Sequence, residues 1–416
     1  MSDVPFGFGP ADRDPDRRDQ PGGEPDLSSL FGMFPMLGQH LQQMLSGQGT
    51  GGPVNWDLAK QLADQALAGT PTRATPAEHQ KVTEALRLAD LWLDATTTLP
   101  SGVRTTQAWT RLEWVERTLP IWTALCDPVA ARVVGAMGGA LPEEARAQAG
   151  QLIGVLNSMG GMMFGAQVGQ ALAGLAGEVL SSTDIGLPLG PTGAAALLPV
   201  NVAAFTEGLE LPEDEVRLYL ALREAAHHRL FGHVPWLRQR LLDTVDAYAR
   251  GITVDTTALE QAVSGIDPMN PESLQEALQG GMFEPQTTPE QQVALARLET
   301  LLALVEGWVD AVVDEAAGAR LTGAAALRET LRRRRASGGP AEQTFATLVG
   351  LELRPRRLRD AARLWQVLAE RRGVEGRDAI WGHPDLLPDA TDLDDPDGFA
   401  ARTESGPDDF PELSGS

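Results

Sequence analysis

Hydrophobic and polar positions alternate along most of this chain with the spacing of amphipathic helices. Apolar residues return every three or four positions, as in helices that bury one face, over residues 57–68, 105–125, 142–180, 235–250, 323–335 and 355–372. Proline followed by three acidic residues begins a further pattern over 212–231, where negative charge suits the first turn of a helix. The pattern therefore predicts a chain built mainly from helices.

Two of the predicted helices begin at recognisable capping boxes with proline at the first helical position. These are Thr75-Pro76-Ala77-Glu78 and Thr288-Pro289-Glu290-Gln291. We expect the helices to end near Thr97 and Ala316. Strand-like alternation is confined to two short stretches, 196–205 and 252–255. The predicted fold class is mainly α, with at most a few short strands.

Composition predicts one folded domain between two tails. Residues 1–28 are rich in proline, glycine and aspartate, and residues 384–416 contain ten acidic residues against the single Arg402. Segments of this kind bury too little apolar surface to fold alone. We therefore predict a disordered N-terminal tail over 1–28, a helical domain over 29–383 and a disordered acidic tail over 384–416.

Charge and cysteine content exclude several classes of function. The net charge of −23 disfavours nucleic acid and anionic membranes as partners. Cys126 is the only cysteine, which excludes an intramolecular disulfide and cysteine-cluster metal sites. The first thirty residues contain no apolar run behind a basic start, so we expect no secretory signal and a cytoplasmic protein.

An uncharged segment over 147–177 is long enough to span a bilayer. However, it contains five glutamine or asparagine side chains, and no aromatic or basic belt flanks it. Every fourth residue is small, which lets a neighbouring helix approach closely: Gly161, Gly165, Gly169, Ala173 and Gly177. We predict a central helix of a helical core, with a membrane span as the alternative.

The candidate chemistry lies in the predicted helix over 212–231. Zinc hydrolases of the His-Glu-x-x-His type place two histidines four residues apart, so that both reach one metal while the glutamate acts as general base. In this chain Glu224 and His227 occupy the positions of the glutamate and the second histidine. Arg223 occupies the position of the first histidine, and a guanidinium has no lone pair with which to bind zinc.

A second helix supplies a further candidate ligand. Glu306 lies among apolar residues of the predicted helix over 288–316, and a buried carboxylate needs a partner. We expect this helix to pack against 212–231 and to bring Glu224, His227 and Glu306 together.

Several longer runs resemble the mainly actinobacterial zincin-like family, whose members are assigned as hydrolases or zinc-dependent metalloproteases. The resemblance covers residues 30–390 and rests on Asn55-Trp56-Asp57, Trp114-Val115-Glu116, Met162-Met163-Phe164-Gly165, Ser182-Thr183-Asp184-Ile185-Gly186-Leu187-Pro188, Leu198-Pro199-Val200-Asn201, Arg223-Glu224-Ala225-Ala226-His227 and His383-Pro384-Asp385-Leu386-Leu387-Pro388. It implies a zincin-type helical fold and a zinc site near His227 and Glu306. The chain departs from the family's zinc motif at Arg223.

Three interpretations of this site remain open at the level of sequence. In the first, Arg223 replaces the charge of the metal and pairs with Glu306 or Glu224, which leaves a protein with little or no hydrolytic activity. In the second, His227 and Glu306 bind zinc with a further ligand such as His228 or His233, and the protein hydrolyses peptides. In the third, these residues form an ordinary polar cluster, and the protein binds a protein or peptide partner without catalysis. We expect zinc at less than full occupancy.

Overall fold

The computed structural model describes residues 52–139, 150–251, 288–318, 320–336 and 357–402. The predicted N-terminal tail, the predicted strand over 252–255 and the end of the acidic tail lie outside these ranges. The described chain forms eleven helices and two strands: α1 Trp56–Ala66, α2 Pro76–Leu93, β1 Thr105–Ala108, α3 Arg111–Gly139, α4 Gly150–Glu178, β2 Ala194–Leu197, α5 Pro199–Thr206, α6 Glu213–His233, α7 Pro235–Arg250, α8 Pro289–Ala317, α9 Ala324–Ala336, α10 Leu358–Asp378 and α11 Pro396–Arg402. The mainly α prediction is confirmed.

Both predicted capping boxes are formed. The Thr75 side chain accepts from the Glu78 backbone N–H, and the Glu78 carboxylate accepts in turn from the Thr75 backbone N–H. Thr288 and Gln291 make the same reciprocal pair at the start of α8. Each box satisfies two backbone donors that have no acceptor within the helix. The two helix starts predicted from these capping boxes are therefore confirmed.

Helices α6 and α8 lie at the centre of the fold. α8 packs against α6, α7 and α10, and α6 also packs against α2. Every residue of α6 from Val216 to Leu230 except Leu218 is buried, including six charged or imidazole side chains: Arg217, Arg223, Glu224, His227, His228 and Arg229. The predicted packing of the segments 212–231 and 288–316 is confirmed. This arrangement places polar groups of both helices in the protein interior.

The two strands form a small parallel sheet, in which Thr105 pairs with Ala194 and Ala108 pairs with Leu197. The sequence assigned the first of these strands to a helix over 105–125, and that assignment is wrong for residues 105–108. The predicted strand over 196–205 is also wrong beyond Leu197, because Pro199 begins helix α5. A strand of four residues is too short for its periodicity to be distinguished from that of a helix.

The uncharged helix α4 lies against α1 along its row of small residues. A Cβ atom added to Gly165 would lie 2.5 Å from the Asn55 carbonyl oxygen, and one added to Gly169 would lie 2.5 Å from the Ala59 carbonyl oxygen. The two backbones therefore approach more closely than any larger residue allows. In the described part of the chain, no helix is long and apolar enough to cross a membrane.

The structure describes residues 384–402 of the segment predicted as an acidic tail. Residues 384–402 pack against the rest of the protein, with Leu393 and Phe399 buried at 2% and 6% exposure. The Arg371 guanidinium of α10 donates to Asp397, and that of Arg357 donates to Asp394. A few buried apolar residues and ion pairs with neighbouring arginines therefore hold a segment whose average composition is that of a disordered chain.

Candidate functional site

Four polar residues of α6 point in two directions from adjacent faces of the helix. Arg223 and His227 are four residues apart and share the face that meets α8. Glu224 and His228 are also four residues apart, and they share the next face, which meets residues 182–183 and β2. The helix therefore builds two separate polar clusters.

In the first cluster, the Arg223 guanidinium bridges two buried carboxylates of α8. Its Nη2 atom lies 2.6 Å from Glu306 Oε2, and its Nη1 atom donates to Asp310. The side chains of Glu306 and Asp310 are each only 2% exposed. Burial alone would lower the pKa of Arg223, but the charges of Asp310 and Glu306 raise it above its usual value. The guanidinium is therefore a permanent cation in this interior.

His227 approaches the other oxygen of Glu306. Its Nε2 atom lies 3.0 Å from Glu306 Oε1, and its Nδ1 atom lies 2.9 Å from the Arg223 carbonyl oxygen. Both neighbours are acceptors, so the ring donates both bonds only when both of its nitrogens carry hydrogen. The Phe231 ring stacks on the imidazole, with 6.0 Å between ring centroids. The expected proximity of His227 and Glu306 is confirmed, but Glu224, which was expected beside them, faces Ser182 and Thr183 instead.

Two further arginines from the end of α9 complete this cluster. Arg335 forms an ion pair with Glu306, and the Nε atom of Arg332 lies 2.8 Å from Asp310 Oδ2. Burial would raise the pKa of Glu306, but the charges of Arg335, His227 and Arg223 lower it well below its usual range. The Glu306 carboxylate is thus ionised, and both carboxylates are shared among several guanidinium groups. We call Arg223, His227, Glu306, Asp310, Arg332 and Arg335 the arginine–carboxylate cluster.

The second cluster surrounds Glu224, which is fully buried. Its carboxylate accepts from the Ser182 hydroxyl, the Thr183 hydroxyl at 2.6 Å and backbone N–H, the Ala196 N–H at 3.0 Å and the ring of His228 at 3.2 Å. Burial would raise the pKa of Glu224, but the bonds from His228, Ser182 and Thr183 lower it to about 2. Glu224 therefore connects α6 to β2. A carboxylate with this many donors is a weak proton acceptor, which does not suit a general base.

Gly186 allows the loop after α4 to pass directly over Glu306. It adopts a φ of +77°, and an added Cβ atom would lie 2.7 Å from Glu306 Oε1. Only glycine tolerates both the backbone conformation and the contact. The run Ser182–Pro188 therefore serves both clusters, with its hydroxyls at Glu224 and its glycine at Glu306.

The comparisons with known proteins agree with this architecture. A family model described as Zincin-like metallopeptidase matches residues 54–400. This chain belongs to that family. A crystal structure of a candidate hydrolase with a novel fold from Chloroflexus aurantiacus shares the fold of this zincin-like protein, with a TM-score of 0.58 at 18% identity over 84% of this chain and 99% of the other. No curated protein matches the sequence.

The zincin-like family implies a zinc ion, and the donor set of this member does not fit one. His227 Nε2 and Glu306 Oε1 are placed as two ligands could be, but zinc sites use three or four protein donors. Across the described residues, no group of three histidine, cysteine or acidic side chains is arranged to hold a metal. Arg223 occupies the position of the motif's first histidine, which would be the third ligand, and a guanidinium cannot bind zinc. Arg335 forms a further ion pair with Glu306.

Sequence reasoning missed several members of both clusters. One of them carried a usable signal: Asp310 lies four residues after Glu306 and therefore on the same face of α8. The others come from distant segments, and no spacing connects them to the motif: Ser182, Thr183, Arg332 and Arg335. His228 was considered as a zinc ligand, but its ring contacts Glu224.

Proposed function

We propose that this zincin-like protein works without zinc, with the Arg223 guanidinium in place of the metal, and that it binds a protein or peptide partner without hydrolysing it. The observation that carries this proposal is the bridge from Arg223 to Glu306 and Asp310. A guanidinium that donates to two buried carboxylates supplies the positive charge that a metal would otherwise supply. The placement of Glu224 supports the same conclusion, because its oxygens are engaged by donors outside the arginine–carboxylate cluster.

A zinc hydrolase is the second candidate function. One observation favours it: the Nδ1 atom of His227 faces a backbone carbonyl, which is the usual way of orienting the Nε2 atom of a zinc-binding histidine. Glu306 Oε1 would be its companion ligand. This function requires Arg223 and Arg335 to move away from Glu306.

The metal content of the purified protein distinguishes the two functions. We expect wild-type protein, incubated with excess zinc and then dialysed, to retain far less than one zinc per chain by elemental analysis. Arg223→His supplies the missing imidazole, so we expect that variant to retain more zinc and to lose it again on the additional change His227→Ala. Stoichiometric zinc in the wild type that disappears in His227→Ala would refute the proposal and favour the hydrolase.

A further inference from the structure

A small cavity of about 30 Å³ lies beside the arginine–carboxylate cluster. It is enclosed by the end of α6, by α7 and by the loop before β2, with His228, Phe231 and Arg238 on the helical side and residues 190–193 on the loop side. Phe231 also stacks on His227, so one aromatic ring separates the cavity from the cluster. None of the residues that line the cavity is acidic.

Arg238 has no carboxylate partner in the described part of the chain. Its Nη1 atom donates to the Thr192 hydroxyl at 3.2 Å, and burial lowers its pKa with no compensating negative charge. The Arg238 side chain is half-buried, whereas the deeply buried arginines of the described residues each meet an acidic side chain, as Arg217 meets Glu213 and Arg229 meets Asp90. Arg238 therefore lines the cavity as a cation without a paired carboxylate.

The loop side of the cavity adds backbone donors. The N–H groups of Gly190, Thr192 and Gly193 have no acceptor among the residues that the structure describes, and Gly193 adopts a φ of +79°. Pro191 has no N–H, so the consecutive free donors are those of Thr192 and Gly193, and free N–H groups of consecutive turn residues can bind an anion. The cavity therefore combines a guanidinium with backbone donors and has no negative charge at its surface.

We propose that Arg238 and this cavity bind the terminal carboxylate of a peptide. The proposal rests on the proposed function, since it identifies the part of a partner that is recognised next to the cluster. A planar carboxylate matches the two parallel donors of a guanidinium. The cavity has room for about two water-sized groups, which matches the two oxygens of a carboxylate better than the four oxygens of a phosphate.

The test uses full-length protein and three probes: acetate, inorganic phosphate, and an N-acetylated trialanine peptide prepared with either a free carboxylate or a C-terminal amide. Binding is measured by calorimetry and by the shift in Tm at constant ionic strength, with chloride as the reference anion. We expect acetate and the acid peptide to bind. The affinity of the amide peptide should be lower by at least about tenfold, because the amide cannot form the charge-assisted hydrogen bond. Equal binding of the acid and the amide, or no effect of acetate beyond that of chloride, would overturn the proposal.

Matched variants on α7 locate the effect. We expect Arg238→Gln to weaken binding of the acid peptide about tenfold or more, and Arg240→Gln, which changes an exposed arginine outside the cavity, to leave it unchanged. Unchanged binding by Arg238→Gln, or tighter binding of phosphate than of acetate, would contradict the assignment. Zinc content and peptide integrity are measured on the same samples. Hydrolysis of the peptide would reject the proposed function, whereas the difference in binding between the acid and amide peptides tests the cavity independently.

Discussion

Replacing Arg223 by alanine tests the arginine–carboxylate cluster most directly. The change removes the guanidinium that bridges Glu306 and Asp310, and both carboxylates stay buried at 2% exposure. Removing one partner of a buried ion pair costs about 3–5 kcal/mol. Because Arg335 and Arg332 still contact these carboxylates, we expect a loss near the lower end, about 3 kcal/mol.

Urea unfolding at neutral pH measures this loss as a change in the free energy of unfolding. The matched control is Arg333→Ala on α9, which removes an ion pair with Glu329 whose arginine is 77% exposed. An exposed pair of this kind contributes about 0.5 kcal/mol or less. We therefore expect the two variants to differ several-fold in their effect on stability.

A double-mutant cycle with Asp310→Ala isolates the contact itself. Once Asp310 is absent, the loss of Arg223 leaves fewer unpaired charges. We therefore expect the loss in the free energy of unfolding of the double variant to be smaller than the sum of the two single losses by at least about 1 kcal/mol. Strict additivity, or a loss below about 1 kcal/mol for Arg223→Ala, would show that the guanidinium does not compensate these carboxylates. The charge-replacement argument would then fail.

Three further predictions concern the rest of the fold. Phe399→Ala should cost about 3 kcal/mol in urea unfolding because the ring is 6% exposed, whereas Leu386→Ala at 46% exposure should cost little; equal effects would contradict the packing of residues 384–402. Gly169→Ala should destabilise by about 1–3 kcal/mol through the contact with the Ala59 carbonyl, whereas Gly177→Ala, with nothing within 4 Å, should be neutral or stabilise by up to about 1 kcal/mol; the reverse order would reject the close approach of α1 and α4. Glu224 has a pKa of about 2, below the unfolded value of about 4.3, so its contribution is complete above pH 4.3 and is lost as the pH falls towards 2. The stability difference between wild type and Glu224→Gln should therefore shrink across that window, and a difference independent of pH would argue against an ionised Glu224.

The starts of α2 and α8 were predictable from sequence because two independent signals coincide there. At Thr75 and Thr288, a capping box and the onset of helical periodicity fall together, and each signal has a local physical cause. The strand over 105–108 and the packed segment over 384–402 lack such local signals. The strand is held by pairing with residues 194–197, and the acidic segment is held by a few buried side chains, so both depend on contacts distant in sequence.

The same distinction explains what could be predicted of the candidate site. Two helices each present two polar groups four residues apart, Arg223 with His227 and Glu306 with Asp310, and this spacing already implies that both pairs lie on single helical faces. The two helical faces meet in the interior. There the two carboxylates of α8 require nearby positive charge, and Arg223 of α6 supplies it where the zinc motif has a histidine. Arg332 and Arg335 add charge from another helix, and no local pattern marks them. A metal bound to the same carboxylates would have to gain a third ligand and also displace the guanidinium groups of Arg332 and Arg335. Restoring the histidine supplies the third ligand but leaves these two arginines in place.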